Sequence, residues 1–79
     1  MLSREAIIQK LKENGLKLTS QRLAIIDVLL KKGHLHPGAG FIYKEAKKKC
    51  PSISLSSVYA NLNELTRYGI IKSLEFDGK

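Results

Sequence analysis

Ser56, Ala60, Asn63 and Arg67 recur at three- and four-residue intervals, so a helix through them gathers small and polar side chains along one edge. Small residues let a helix approach another surface closely, while Asn and Arg carry donors suited to base edges and phosphate oxygens. Tyr59 stands on one flank, with a ring that can touch a thymine methyl and a hydroxyl that can donate to a phosphate; Ser57 and Glu64 stand on the other. Asn61 adds a further donor group. A blander reading competes with this one: the same edge is a solvated face and Tyr59 a half-buried core residue.

The element that must carry these residues is a helix over 54–68. Ser54 is placed to cap it, Leu55, Val58, Leu62 and Leu65 form its inward stripe, and Gly69 suits the left-handed position after its end. Before it, Ala39, Ile42, Tyr43 and Ala46 recur at helical spacing in a helix weakened at its start by Gly40, and Cys50-Pro51-Ser52-Ile53 breaks the pattern. Helix, short break and polar-edged helix make a helix-turn-helix, whose second helix can enter a major groove.

Further upstream, Ser3 caps a first helix with Ala6, Ile7, Ile8 and Leu11 on one stripe and Gly15 at its stop. Thr19 opens a second helix whose apolar set, Leu23, Ile25, Ile26, Val28, Leu29 and Leu30, is wide enough to be central to the core. Residues 33–38, Gly-His-Leu-His-Pro-Gly, read as a loop. Ile70 to Phe76 reads as a strand with Asp77-Gly78 as a hairpin turn, but with only Lys79 to follow. The sequence therefore predicts a mainly α chain with a small β wing, a winged helix-turn-helix of four helices and an interrupted β-hairpin, and a fragment of a longer protein.

Charge points to the partner. Fourteen Lys and Arg against seven Asp and Glu give a net charge of +7 in 79 residues, a positive field that favours an anionic partner. Lys17 lies in the connector between the first two helices with Arg22 shortly after, where a basic side chain can reach a phosphate or the adjacent minor groove. The run Lys44, Lys47, Lys48 and Lys49 reads more simply as a solubilising surface. With 79 residues there is room for one domain and little for a deep cleft. No nucleophile and base pair, glycine-rich phosphate loop or carboxylate pair is present, so an enzyme is not expected. No apolar run approaches the roughly 18 residues that span a bilayer, which predicts a cytoplasmic protein with no membrane partner. Cys50 is the one cysteine and reads as packing.

Taken together, several segments resemble the amino-terminal DNA-binding domain of ferric uptake regulator (Fur) family repressors. They are Gly15-Leu16-Lys17-Leu18-Thr19-Ser20-Gln21-Arg22, His36-Pro37, Ile42-Tyr43, and Ser52-Ile53-Ser54-Leu55-Ser56-Ser57-Val58-Tyr59 with Leu62 and Gly69. Order and spacing match over nearly the whole chain. The resemblance implies that 1–79 is a winged-helix domain of a metal-responsive regulator, normally a repressor, that binds double-stranded promoter DNA as a homodimer. It also implies that the carboxy-terminal dimerisation and metal-sensing domain lies outside this chain. The fragment alone is then expected to be monomeric or weakly associating.

By the same resemblance, Tyr59 matches the tyrosine that touches bases, Lys17 the residue that reaches the minor groove, and Thr19, Arg22, Ser54 and Ser57 positions that can contact phosphate. Ser56, Ala60, Asn61, Asn63 and Arg67 complete the candidate set from the helix itself. His36 matches an amino-terminal histidine of a regulatory Fe, Zn or Mn site, but it binds nothing tightly without ligands from elsewhere, so no cofactor is expected in the fragment. Three departures stand out: Ala60 occupies a frequent arginine position, Ser20 a frequent proline position, and Gly38-Ala39-Gly40 replaces the usual hydroxyl cap and acidic followers. A different class of function, a winged-helix module whose basic face meets an acidic protein, remains open on sequence grounds.

Overall fold

A computed structural model describes residues 3–32 and 37–71. They form four α-helices: α1 (Arg4–Glu13), α2 (Ser20–Lys32), α3 (Ala39–Lys49) and α4 (Leu55–Arg67). The middle helix of the packing is α2, which meets each of the other three, while α3 and α4 also pack on each other. No helix among the described residues is long and apolar enough to cross a membrane.

The helix boundaries follow from side-chain chemistry. Ser3 Oγ accepts the Ala6 amide at 3.2 Å, Thr19 Oγ1 the Arg22 amide at 3.1 Å, and Ser54 Oγ the Ser57 amide at 3.1 Å, so three helix starts are capped by hydroxyls. The fourth start is not: Gly38 precedes α3 and offers no side-chain acceptor. Two helices end in the same way. After α1, the Gly15 amide donates to Lys12 O at 3.0 Å and Leu16 to Leu11 O at 2.9 Å; after α4, Gly69 donates to Thr66 O at 3.0 Å and Ile70 to Leu65 O at 2.9 Å. These paired bonds are the Schellman arrangement, and they require a left-handed residue, which Gly15 and Gly69 supply with φ of 70° and 71°. Each turn folds an apolar residue back: Leu16 packs against the core and Ile70 is buried in it.

The core is continuous. Ile7 and Leu11 from α1, Ala24, Ile25, Ile26, Val28 and Leu29 from α2, Ala39, Ile42 and Ala46 from α3, and Val58, Leu62 and Leu65 from α4 close on one another, with Cys50, Ile53, Ile70 and Ile71 sealing the ends. Cys50 packs, as its isolation in the sequence predicts. Ala6, Ile8, Leu23 and Leu30, expected in the stripes, are only half-buried.

One expectation is overturned. Leu55 belongs by spacing to the inward stripe of α4, yet it remains 42% exposed. It is the first residue of α4, and helical side chains lean toward the amino-terminal end, so a residue at that position reaches past the body of the helix. The expected strand 70–76 opens with Ile70 and Ile71, which are buried bends; its remainder and the hairpin turn lie outside the described residues, as do His34 and His36.

Candidate nucleic-acid interface

Three buried side chains, one valine and two leucines, decide which way α4 faces. With Val58, Leu62 and Leu65 buried, the opposite edge made by Ser56, Ala60, Asn63 and Arg67 stands exposed, and Tyr59 is 43% exposed beside it. Tyr59 and Leu55 are one turn apart on the helix and both exposed, giving the edge an apolar strip as well as a polar one. Tyr59 is therefore not the half-buried core residue of the blander reading.

The hydroxyls at the start of α4 are partly engaged with one another. Ser54 Oγ donates to Ser57 Oγ at 3.0 Å and lies 3.2 Å from Ser56 Oγ, while accepting the Ser57 amide. Ser54 and Ser56 are nonetheless exposed and Ser57 half-buried, so the cluster borders the open edge. Lys17 and Thr19 are exposed in the connector between α1 and α2.

Two of the residues singled out in the sequence face inward instead. Arg22 is only 13% exposed in its side chain. Its Nε donates to Asn61 Oδ1 at 3.0 Å, its Nη1 to the backbone carbonyl of Lys17 at 2.7 Å, and its Nη2 pairs with Glu64. Asn61 in turn donates from Nδ2 to Ser57 O at 2.8 Å, so both ends of its amide are used within the protein. The structure thus brings Lys17, Arg22 and α4 together through one backbone carbonyl and two partly buried side-chain contacts. Spacing along the chain carries no trace of this bridge, because its partners lie 39 and 42 residues away.

Elsewhere the charges pair across helices. Asp27 on α2 accepts Arg4 Nε of α1 at 2.9 Å and Lys49 Nζ of α3 at 3.3 Å, tying three helices at their surface. Lys48 donates to Glu45 at 3.0 Å, and this hydrogen bond, with nearby lysines, holds the Glu45 carboxyl below its ordinary value of 4.5. Lys47 donates to the Tyr43 hydroxyl at 3.1 Å and sits 5.3 Å from the ring centre. Between α2 and α3 lies an open groove of about 220 Å³ whose charged walls are Lys31, Lys32, Lys48 and Lys49 with Asp27 and Glu45.

Metal binding finds little support in these side chains. Among the described residues no group of three or more His, Cys, Asp or Glu is arranged to hold an ion, and Cys50 is a buried free thiol. The described part of the chain does not by itself fit a metal centre, and His36 lies outside it.

The helix pair α3 and α4, joined by the turn at 50–54 and presenting the small, polar edge of the second helix from a basic body, forms a helix-turn-helix. Comparison with known proteins makes this specific. The ferric uptake regulator family model matches residues 13–79, and the chain belongs to that family. A ferric uptake regulation protein homolog of Archaeoglobus fulgidus is 34% identical over 76 residues, covering 96% of this chain and 59% of the relative. The peroxide operon regulator of Bacillus subtilis is 38% identical over 69 residues, covering 87% of this chain and 47% of the relative. The ferric uptake regulation protein of Staphylococcus epidermidis is 40% identical over 72 residues, covering 91% and 51%. The chain therefore spans about half the length of these curated relatives, all of which are named as regulators. No solved structure matches it.

Proposed function

We propose that this chain is the sequence-selective, duplex DNA-binding domain of a transcription repressor, with α4 entering the major groove. The observation that carries the reading is the exposed edge of α4. Ser56, Tyr59, Ala60, Asn63 and Arg67 face out, while the one acid in the carboxy-terminal half of the helix, Glu64, is paired with Arg22. A helix edge without free acid and with small residues can lie close to stacked bases, and a chain of net charge +7 draws it there.

Each residue then has a part. Tyr59 reads base edges, with a thymine methyl against its ring; Asn63 and Arg67 donate to bases or phosphates; Ser54, Ser56, Ser57 and Thr19 meet the backbone. Lys17 reaches the adjacent minor groove. Ala60 has no donor and permits close approach only. The names of the relatives support a role in iron or peroxide response for the whole protein. In that protein two domains pair in the cytoplasm on a two-fold operator, and His36 joins ligands from outside this chain to hold an Fe, Zn or Mn ion.

Salt titration tests the reading. If about four to six phosphates are neutralised, the log–log slope of affinity against salt is roughly −4 to −5. A duplex recovered by selection from a random-sequence library should bind well above its scrambled counterpart. Equal binding to both, or a slope near zero, overturns the reading and turns attention to an acidic protein as the partner of the basic face.

A further inference from the structure

We propose that Arg22 is a positioning residue, which locks the connector carrying Lys17 to α4 and cancels the charge of Glu64, and does not itself neutralise a phosphate. The proposal rests on the DNA-binding reading above. Three observations carry it. Each nitrogen of the guanidinium has its own acceptor: Asn61 Oδ1 at 3.0 Å, the Lys17 carbonyl at 2.7 Å, and the Glu64 carboxylate. The side chain is 13% exposed, so little of it is open to an outside ligand. The chain of bonds continues from Asn61 Nδ2 to Ser57 O at 2.8 Å, which carries the connection into the first turns of α4 beside Tyr59.

The physical consequence is a fixed geometry between two DNA-facing elements. Lys17 sits outside α4 in sequence and has no helix of its own; its backbone is held by Arg22 Nη1, whose other nitrogens hold α4. A planar guanidinium serves three acceptors in set directions, which an ammonium does not reproduce. The pair with Glu64, 38% exposed in its side chain, also prevents an acid near the open edge from repelling phosphate. Pre-arranged elements bind without the cost of ordering them, and a selective site gains most, because its contacts need mutual register.

The test separates positioning from phosphate contact by holding charge constant. Arg22→Ala/Glu64→Gln removes one positive and one negative charge, so the net charge of +7 is unchanged. Circular dichroism confirms the helices, and anisotropy titrations at several salt concentrations compare the selected duplex with a scrambled one. The ratio of the two affinities does not depend on the fraction of active protein. We expect that ratio to fall by about tenfold while the salt slope changes by less than the roughly 0.9 of one fully lost phosphate contact. Lys17→Ala should cost measurably less in the double variant than in wild type, since the connector has already lost its register.

A slope shallower by about 0.9, with the ratio intact, makes Arg22 a direct phosphate ligand and overturns the proposal. An unchanged ratio with full additivity toward Lys17→Ala overturns it equally. Should the double variant lose its helices, Asn61→Ala keeps Arg22 and its charge and removes one acceptor on α4. A reduced ratio at unchanged slope then upholds the proposal, and an unaltered ratio refutes it. A wild-type chain that enriches no duplex at all instead sinks the DNA reading, an outcome distinct from these.

Discussion

The hydroxyl of Ser54 accepts the backbone amide of Ser57 at 3.1 Å, and this bond starts the helix that presents Tyr59. Replacing Ser54 with Ala leaves that amide without its acceptor and should destabilise the fold by about 1 kcal/mol, read from the urea midpoint. Ser54→Asp keeps an acceptor and should recover most of the loss. An alanine variant as stable as wild type would show that water replaces the cap at no cost.

Tyr59 makes the opposite prediction. Its side chain is 43% exposed, so Tyr59→Ala should shift the unfolding midpoint little. On the selected duplex the same change should cost on the order of 1–3 kcal/mol, and much less on scrambled DNA. Equal losses on both would strip Tyr59 of a base-reading role.

Lys17→Ala should weaken binding to all duplexes alike and make the salt slope shallower by about 0.9, the signature of one lost phosphate contact. A loss confined to the selected duplex, with the slope retained, would place Lys17 against base edges only.

Two leucines on one helix should respond very differently to truncation. Leu62 is 1% exposed, and Leu62→Ala should cost about 2–5 kcal/mol through lost burial and the cavity left behind. Leu55 is 42% exposed, and Leu55→Ala should cost less than about 1 kcal/mol. Denaturant unfolding of the two variants side by side decides it; similar losses would mean that Leu55 is covered in solution.

Acid should erase the contribution of the Glu45 and Lys48 pair. Lys48 depresses the Glu45 carboxyl, so the stabilisation is present above the ordinary value of 4.5 and is lost as pH falls through the lower folded-state value. The difference in urea midpoint between wild type and Glu45→Gln should therefore be present at neutral pH and vanish in acid. A difference that grows on acidification would contradict this sign.

Much of the fold is legible from local patterns, because caps, glycine stops and apolar spacing act within a few residues. Ser3, Thr19 and Ser54 start helices where their hydroxyls permit, and Gly15 and Gly69 end them in left-handed turns. The weak start of α3 is equally visible in Gly38 and Gly40. Legibility fails where the deciding contact is distant. A helical wheel assigns Leu55 inward as though the helix were endless, yet the side chain sits at its first residue and overhangs. Arg22 and Asn61 look like free donors because nothing nearby in the chain reveals that each is the other's partner across 39 residues. Asp27, similarly, shows no local sign that Arg4 and Lys49 converge on it.

Cys50 closes α3 with its thiol buried, 3.6 Å from Ser52 Oγ. A single, largely shielded sulfhydryl beside the helix pair is a built-in stopwatch: parting of the pair should speed its alkylation. The rate of labelling, followed with and without a bound duplex, would time the opening of this domain without any tag being introduced.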